Sequence, residues 1–289
     1  MIGRALAHGA ATIINAMATG KGAAFGIALW TEAEVELFPG SSAREVEIAS
    51  DPGEDTLLAE KCVDCVLDYF GLKDFGFKVV TNSNIPIAKG LKSSSVASNA
   101  IVMATLSALG KRLSNLEILN LSVNAAIEAR TTITGAFDDA SASLFGNVVI
   151  TNNLQRRILR IFDIEDYKVI ISVPEEKKYT RDVDIHRIKF IAKQVEVAHR
   201  EALLGNYWCA MTINGLIYSA ALGYPCDVIV DCLEAGAIAA GLSGKGPAIV
   251  AVSSEECENG VKSALSCHGK VLVTETNKEG ARFGSNKRR

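Results

Sequence analysis

One stretch of this chain joins a punctuated loop directly to an apolar helical pattern, and it constrains the fold and the chemistry more than any other segment. It extends from Pro86 to Ala100 and reads Pro-Ile-Ala-Lys-Gly-Leu-Lys-Ser-Ser-Ser-Val-Ala-Ser-Asn-Ala. Three serines stand where the first helical turn is expected. That turn offers unpaired backbone N–H groups and the positive end of the helix dipole, which suit an anion. The stretch predicts a phosphate cradle, although a serine-capped helix after a turn is the commoner meaning of such a cluster.

The composition limits the class of protein. The 289 residues carry 30 basic and 33 acidic side chains, and this balance does not favour nucleic-acid binding. The hydrophobic fraction of 48% is ample for a core. No apolar run approaches the roughly 18 residues of a membrane helix. The start of the chain has no signal-peptide pattern, and the seven cysteines are irregularly spaced, so we expect reduced thiols in a cytoplasmic protein.

Hydrophobic periodicity alternates between strands and helices along the whole chain. Ala24–Phe38 shows the alternation of a half-buried strand, and Ser114 with Glu117 forms a capping box before a helix. Asp51-Pro52-Gly53-Glu54 predicts the start of an earlier helix that contains Cys62 and Cys65. We interpret these two cysteines as core thiols, with a metal site as a remote alternative.

The same periodicity predicts two domains that each mix strands with helices. A predicted strand over Tyr167–Val173 is closed by Pro174, and we place the change of domain close to it. The chain is therefore predicted to be an α+β protein, with domains at 1–164 and 165–289.

Two further loops contain residues that suit phosphate chemistry. Gly244-Lys-Gly246-Pro lies between two apolar strand-like runs, where glycines allow close approach of a ligand or another backbone. Asp138 and Asp139 follow a polar segment that begins at Arg130, and the small residues around them predict a semi-buried loop. A carboxylate in such surroundings needs a cation or a proton-transfer task. The alternatives are that the Gly244 segment is an ordinary turn and that Asp138 and Asp139 are a solvated acidic pair.

The beginning of the chain is small, polar and rich in glycine. Its residues 7–22 would pack poorly as a core but would line a pocket, with directional contacts from Thr12, Asn15 and Lys21. A flexible entry loop is the alternative. Together with the other three segments, this one fits a small-molecule phosphotransferase, which needs bound phosphates, an oxygen-coordinated Mg²⁺ and a carboxylate beside the acceptor hydroxyl.

These segments resemble the motifs of the GHMP kinases. That family's phosphate loop reads Pro-x-x-x-Gly-Leu-Gly-Ser-Ser, and here Lys92 stands in place of its third glycine. Gly135-Ala-Phe-Asp138 is similar to the loop of the catalytic aspartate, and Ser243–Pro247 is similar to the C-terminal glycine motif. Within the family, the Gly-Leu-Lys-Ser-Ser-Ser variant and the segment from Asn15 are similar to the archaeal-type shikimate kinases. No Walker A motif is present.

The resemblance implies a fold and an activity. The N-terminal domain would resemble domain 2 of ribosomal protein S5, and the C-terminal domain would be ferredoxin-like. The chain would use ATP and Mg²⁺ to phosphorylate the 3-hydroxyl of shikimate, with no nucleic-acid or membrane partner. A kinase for another small hydroxylated metabolite, such as homoserine, and a non-catalytic ligand sensor are the alternatives.

The resemblance also implies roles for individual residues. Asp138 would take or orient the acceptor proton, with Asp139 as the second choice, and Ser94 would bind Mg²⁺. Thr12, Asn15, Lys21 and Arg130 are the expected substrate contacts, although Arg130 suits the C-terminal end of a helix equally well. A basic side chain must meet the shikimate carboxylate, and the candidates are Lys21, Arg130 and Arg4. The expected ATP contacts are Pro86, Lys89, Gly90, Leu91, Lys92, Ser93, Ser94, Ser95, Gly244 and Gly246.

Overall fold

A computed structural model of the chain describes residues 1–86, 90–132, 135–175 and 185–284. Two β-sheets, each covered by helices, form its framework, so the predicted α+β class is confirmed. The expected ATP contact Lys89 lies outside the described residues.

The larger sheet has seven strands and is built on one long antiparallel hairpin. The hairpin pairs β1 with β2, and β11 adds to the free edge of β1. The second half of β2 pairs with β4, which is parallel to β3, whereas the first residues of β2 pair with β5 and then β6. The strands are β1 (Ile2–Ile14), β2 (Lys21–Pro39), β3 (Arg44–Ile48), β4 (Phe75–Ser83), β5 (Val148–Asn152), β6 (Arg157–Phe162) and β11 (Arg282–Phe283).

Four helices pack with this sheet: α1 (Leu57–Tyr69), α2 (Ser93–Ala108), α3 (Asn115–Glu128) and α4 (Phe137–Phe145). α2 is the central one, because it lies against β1 and β2 and also contacts α1, α3 and α4. Its close approach to β1 requires Gly3, where a Cβ atom would lie 2.1 Å from the carbonyl oxygen of Ala104. The C-terminal end of α2 is thereby held against the beginning of β1.

The second sheet has four antiparallel strands in the order β10-β7-β9-β8. These strands are β7 (Lys168–Val173), β8 (Ala239–Leu242), β9 (Ile249–Ser253) and β10 (Lys270–Glu275). The helices of this half are α5 (Ile185–Phe190), α6 (Ala192–Leu203), α7 (Tyr207–Leu222), α8 (Asp227–Glu234) and α9 (Glu258–Ser266). α7 packs on β8 and also reaches β1, so it links the two halves.

Most elements agree with the sequence predictions, including the capping box of Ser114 and Glu117. The prediction that a helix begins at Asp51 is wrong. The Glu54 N–H donates to the Asp51 carbonyl and closes a separate turn, and α1 begins later, after Thr56. The same helix buries Cys62 completely in the core, as expected, whereas Cys65 is only partly buried.

The N-terminal segment predicted to line a pocket is mostly a strand. β1 continues to Ile14, and the hairpin turn follows it before β2 begins at Lys21. The end of the described chain returns to the same sheet, where β11 pairs with β1. The domain limits 1–164 and 165–289 stay a prediction. Among the described helices, none is long and apolar enough to cross a membrane.

Candidate active site

The phosphate-cradle prediction falls on a sharp turn that leads into α2. Gly90 and Lys92 both have left-handed backbones, with φ values of 82° and 64°, and α2 begins at Ser93. Ser93 and Ser94 are half-exposed, whereas Ser95 is buried. The first-turn N–H groups have no partner within the helix, so they can bind an anion. Leu91 is buried in the core, so it can contribute only its backbone.

The C-terminal glycine loop lies directly against this turn. The Ser243 hydroxyl donates to the Gly90 carbonyl over 2.8 Å, across the two halves of the chain. A Cβ at Gly90 would lie 2.3 Å from the Ser243 carbonyl oxygen, so only glycine fits. Gly246, with φ of 76°, lies against the ring of Tyr224. The two glycine loops, one at Gly90 and the other at Gly244, are therefore in direct contact.

Thr12 and Asn15 also contact the glycine loop. The Gly244 N–H donates to the Thr12 hydroxyl over 2.8 Å, and the Asn15 side-chain amide donates to the Gly244 carbonyl over 2.6 Å. Both bonds are buried. The structure therefore brings these two predicted substrate contacts to the site, where their polar groups also hold the second half in place.

Asp138 and Asp139 lie in the first turn of α4, which corrects the prediction that they belong to a loop. The positive φ values of Gly135 and Ala136 end the preceding segment and start the helix immediately before the acids. The two residues are only 3% and 6% exposed. The positive end of the α4 dipole favours their ionised forms.

The two carboxylates have different partners. Asp138 accepts a 2.8 Å hydrogen bond from the Asn153 amide, and its second oxygen lies 2.3 Å from where a Cβ at Gly22 would be. Asp139 forms a buried ion pair with Lys92, whose Nζ is 3.0 Å from Oδ2. Burial and the neighbouring charge of Asp138 raise the pKa of Asp139, while Lys92 opposes this shift. Asp139, and not Asp138, is therefore the ion-pair partner of Lys92.

Lys21 and Arg130 are not joined to this cluster. Lys21 forms a 2.6 Å ion pair with Glu196 of α6. Because strand side chains alternate and Gly22 faces Asp138, Lys21 extends to the opposite face of β2. Arg130 is exposed just after α3, with φ of 56°, and within the described part of the chain its side chain has no ion pair with the carboxylates.

Three site residues were missed by the sequence reasoning: Asn153, Asn214 and Tyr218. Asn214 accepts from the Asn15 N–H over 3.1 Å, and the Tyr218 hydroxyl donates to the Asn15 carbonyl over 3.0 Å. Their spacing of four residues within the mostly apolar α7 was an available signal, because it places two polar groups on one buried face. Asn153 gave no comparable signal.

Comparisons with known proteins identify the family of this chain. The family described as GHMP kinases N terminal domain matches residues 58–147. A shikimate kinase of Methanothermobacter thermautotrophicus is 45% identical over 280 residues, which are 95% of each chain. A shikimate kinase of Methanosarcina acetivorans is 47% identical over 282 residues, covering 96% of this chain and 95% of the relative.

Solved structures show the same fold at low sequence identity. The L. major mevalonate kinase, solved with R-mevalonate, has a TM-score of 0.74 at 16% identity over 96% of both chains. The homoserine kinase of Cytophaga hutchinsonii has a TM-score of 0.71 at 17% identity, covering 98% of this chain and 97% of its own. These similarities concern the fold of the whole chain.

Proposed function

We propose that this chain, which belongs to the GHMP kinase family and within it to the archaeal shikimate kinases, phosphorylates the 3-hydroxyl of shikimate with ATP. The observation that carries the proposal is the meeting of three segments: the Gly90 turn at the start of α2, Asp138 at the start of α4, and the loop around Gly244. Full-length relatives named shikimate kinase, at 45% and 47% identity, support the substrate.

The triphosphate is placed at the start of α2. Unpaired N–H groups of the first turn and the helix dipole would hold it, and the half-exposed hydroxyls of Ser93 and Ser94 stand beside them. The remaining ATP contacts are the backbone groups of the two glycine loops. Leu91 can contribute only its backbone, since its side chain is buried in the core.

Asp138 is proposed to receive the proton of the acceptor hydroxyl. Its carboxylate is held by the neutral Asn153 amide, whereas the Asp139 carboxylate is paired with Lys92. As the acceptor oxygen forms its bond to the γ-phosphorus, the bond to the β-phosphate oxygen breaks and ADP leaves. The acceptor proton passes to Asp138.

Magnesium fits the chemistry of the side chains at this site. Mg²⁺ prefers oxygen donors, and the Ser94 hydroxyl at the start of α2 with the nearby carboxylates supplies them. When bound, the ion would neutralise charge on the phosphate oxygens. The Ser94 assignment, the magnesium requirement and a cytoplasmic location stay predictions.

The group that meets the shikimate carboxylate is a basic side chain, for which the predicted candidates are Lys21, Arg130 and Arg4. Arg4 is paired with Glu34. Lys21 is held by Glu196 on the far face of β2, so Arg130 is favoured by its exposed side chain. Substitution of Arg130 by alanine should raise the KM for shikimate about 10-fold or more. If the KM for shikimate rose by this factor in Lys21→Ala and did not rise in Arg130→Ala, the carboxylate contact would be assigned to Lys21 instead.

The catalytic assignment is tested with Asp138→Asn and Asp139→Asn, measured by shikimate-dependent release of ADP. Asp138→Asn should lower kcat by about 100-fold or more, the range expected for loss of a general base. A loss below about 10-fold, which is roughly 1.4 kcal/mol in the barrier, would remove Asp138 from this role.

A further inference from the structure

We propose that Lys92 is a positioning residue, whose ammonium group fixes the first turn of α4 against the phosphate loop and so holds Asp138 in place. The inference rests on the proposed function, because Asp138 is the group that phosphoryl transfer would use. It assigns a task to the lysine that stands where the GHMP motif has glycine.

The backbone conformation of Lys92 is unusual for a non-glycine residue, and its side-chain contacts explain why it is kept. Lys92 is the N-cap of α2 and has φ of 64° and ψ of 22°, a left-handed conformation that glycine adopts without strain. A non-glycine residue persists in such a conformation only where its surroundings stabilise it. The side-chain contacts of Lys92 are therefore expected to compensate for its backbone.

Those contacts join three segments. The side chains of Lys92 and Asp139 are 10% and 9% exposed, and their charged atoms are 3.0 Å apart. A Cβ at Gly244 would lie 3.1 Å from the Lys92 Nζ, so the C-terminal glycine loop closes over the ion pair. Removal of one partner from such a pair leaves a buried charge without compensation. The ammonium group therefore links the phosphate loop, α4 and the glycine loop.

The link to Asp138 passes through the first turn of α4. Asp138 and Asp139 are consecutive, and each is anchored on a different side, Asp138 by Asn153 and Asp139 by Lys92. Together the two anchors fix the rotation of the turn. Lys92 also neutralises Asp139, so a triphosphate at the start of α2 would not meet a second bare carboxylate. Loss of the ammonium group should therefore misplace Asp138.

The alternative task for Lys92 is direct binding of the triphosphate, and steady-state kinetics separate the two. Lys92→Met should lower kcat about 10- to 100-fold, as expected for a misplaced reacting group, while KM for ATP changes less than about threefold. Lys92→Arg, which keeps the charge, should recover most of kcat. Lys111→Met, at an exposed lysine just after the same helix, is the matched control and should leave both constants unchanged.

A double-mutant cycle tests the pairing without requiring activity. Thermal unfolding is measured for the wild type, Lys92→Met, Asp139→Asn and the double variant. The double variant should be less destabilised than the sum of the two single variants, because it removes both buried charges. If the wild type showed no shikimate-dependent turnover, the proposed function would be contradicted. The thermal measurements would still decide whether Lys92 and Asp139 stabilise each other. Additive losses, or a Lys92→Met defect confined to KM for ATP, would overturn the positioning role.

Discussion

The side-chain amide of Asn15 donates to the carbonyl oxygen of Gly244 over 2.6 Å, and this bond connects the first hairpin to the glycine loop of the other half. The Gly244 N–H is bound by Thr12 at the same time. The N–H and the carbonyl oxygen of Gly244 are thereby both held by β1 and the turn that follows it. The position of the Gly244 loop relative to the first hairpin is consequently determined by buried hydrogen bonds as well as by apolar packing.

Gly22 is expected to be essential for the position of Asp138. A methyl group at Gly22 would lie 2.3 Å from the Asp138 Oδ2, so the carboxylate would have to move. Gly22 has no positive φ, so Gly22→Ala adds no backbone strain of the left-handed kind. It should lower kcat about 100-fold, the effect of a small misplacement, with little change in KM for ATP.

Gly53→Ala is the control for that variant, because a Cβ there meets nothing closer than 4.0 Å. It should leave kcat unchanged. A Gly22→Ala enzyme with wild-type kcat would show that Asp138 does not need its observed position.

Gly90 is expected to be required for the contact between the two glycine loops. Gly90→Ala would place a methyl group 2.3 Å from the Ser243 carbonyl oxygen and would also strain a residue with φ of 82°. KM for ATP should rise and the thermal midpoint should fall. Gly223→Ala has the same backbone strain, because the φ of Gly223 is 78°, but its methyl group would meet no atom within 4 Å.

The difference between these two alanine variants isolates the clash from the strain, which is common to both and amounts to about 1–2 kcal/mol. Both are measured by thermal unfolding and by ATP saturation. Equal losses in the two variants would mean that the loops can separate without consequence.

Tyr218 is expected to hold the hairpin turn that contributes Asn15. Its hydroxyl donates to the Asn15 carbonyl and accepts from the Ala18 N–H, both over 3.0 Å. Tyr218→Phe removes both bonds from a buried place, which should cost about 1–3 kcal/mol in the free energy of unfolding. If the turn contacts shikimate, KM for shikimate should rise more than KM for ATP.

Tyr207→Phe serves as the matched control on the same helix, since the described residues provide no hydrogen-bond partner for the Tyr207 hydroxyl. Its two KM values should be those of the wild type. A Tyr218→Phe enzyme with the stability and both KM values of the wild type would contradict this account of the turn.

The capping box at the start of α3 is expected to affect stability alone. Ser114 accepts from the Glu117 N–H, and Glu117 binds the backbone and hydroxyl of Ser114. Ser114→Ala should lower the free energy of unfolding by about 1 kcal/mol without changing kcat. A loss of activity without a loss of stability would contradict this separation.

The pH dependence of the same box follows from its hydrogen bonds. The Ser114 hydroxyl, with Tyr69 and the Ser114 backbone, lowers the pKa of Glu117 to about 2. Because the folded pKa is below the unfolded one, this stabilisation is present at neutral pH and is lost as the pH falls towards 2. The difference in thermal midpoint between the wild type and Ser114→Ala should therefore narrow in acid.

The sequence predicted the elements and the motifs better than their contacts. The turn before α2, the capping box of Ser114 and the strand-loop-strand around Gly244 follow from local rules for glycine, caps and periodicity. The first turn of α4 was missed because the left-handed Ala136 that precedes it has no sequence signature. Asn153 was missed because its meeting with Asp138 depends on how β5 and α4 pack.

The ion pairs illustrate the same limit. Lys92 was expected to add charge to a phosphate site, yet its Nζ forms an ion pair with Asp139, which is 47 residues later in the sequence. Lys21 was expected at the substrate, yet it is paired with Glu196 of the second half. Both partners are fixed by tertiary packing, which no local pattern records.

The central claim is tested most directly by measuring ADP release from ATP by the purified chain with shikimate, homoserine or mevalonate as the acceptor. The account predicts rapid release with shikimate only, together with formation of shikimate 3-phosphate in equal amount. Release with homoserine or mevalonate and none with shikimate would contradict the assigned substrate. Binding of shikimate and ATP without any turnover would contradict the assignment as an enzyme.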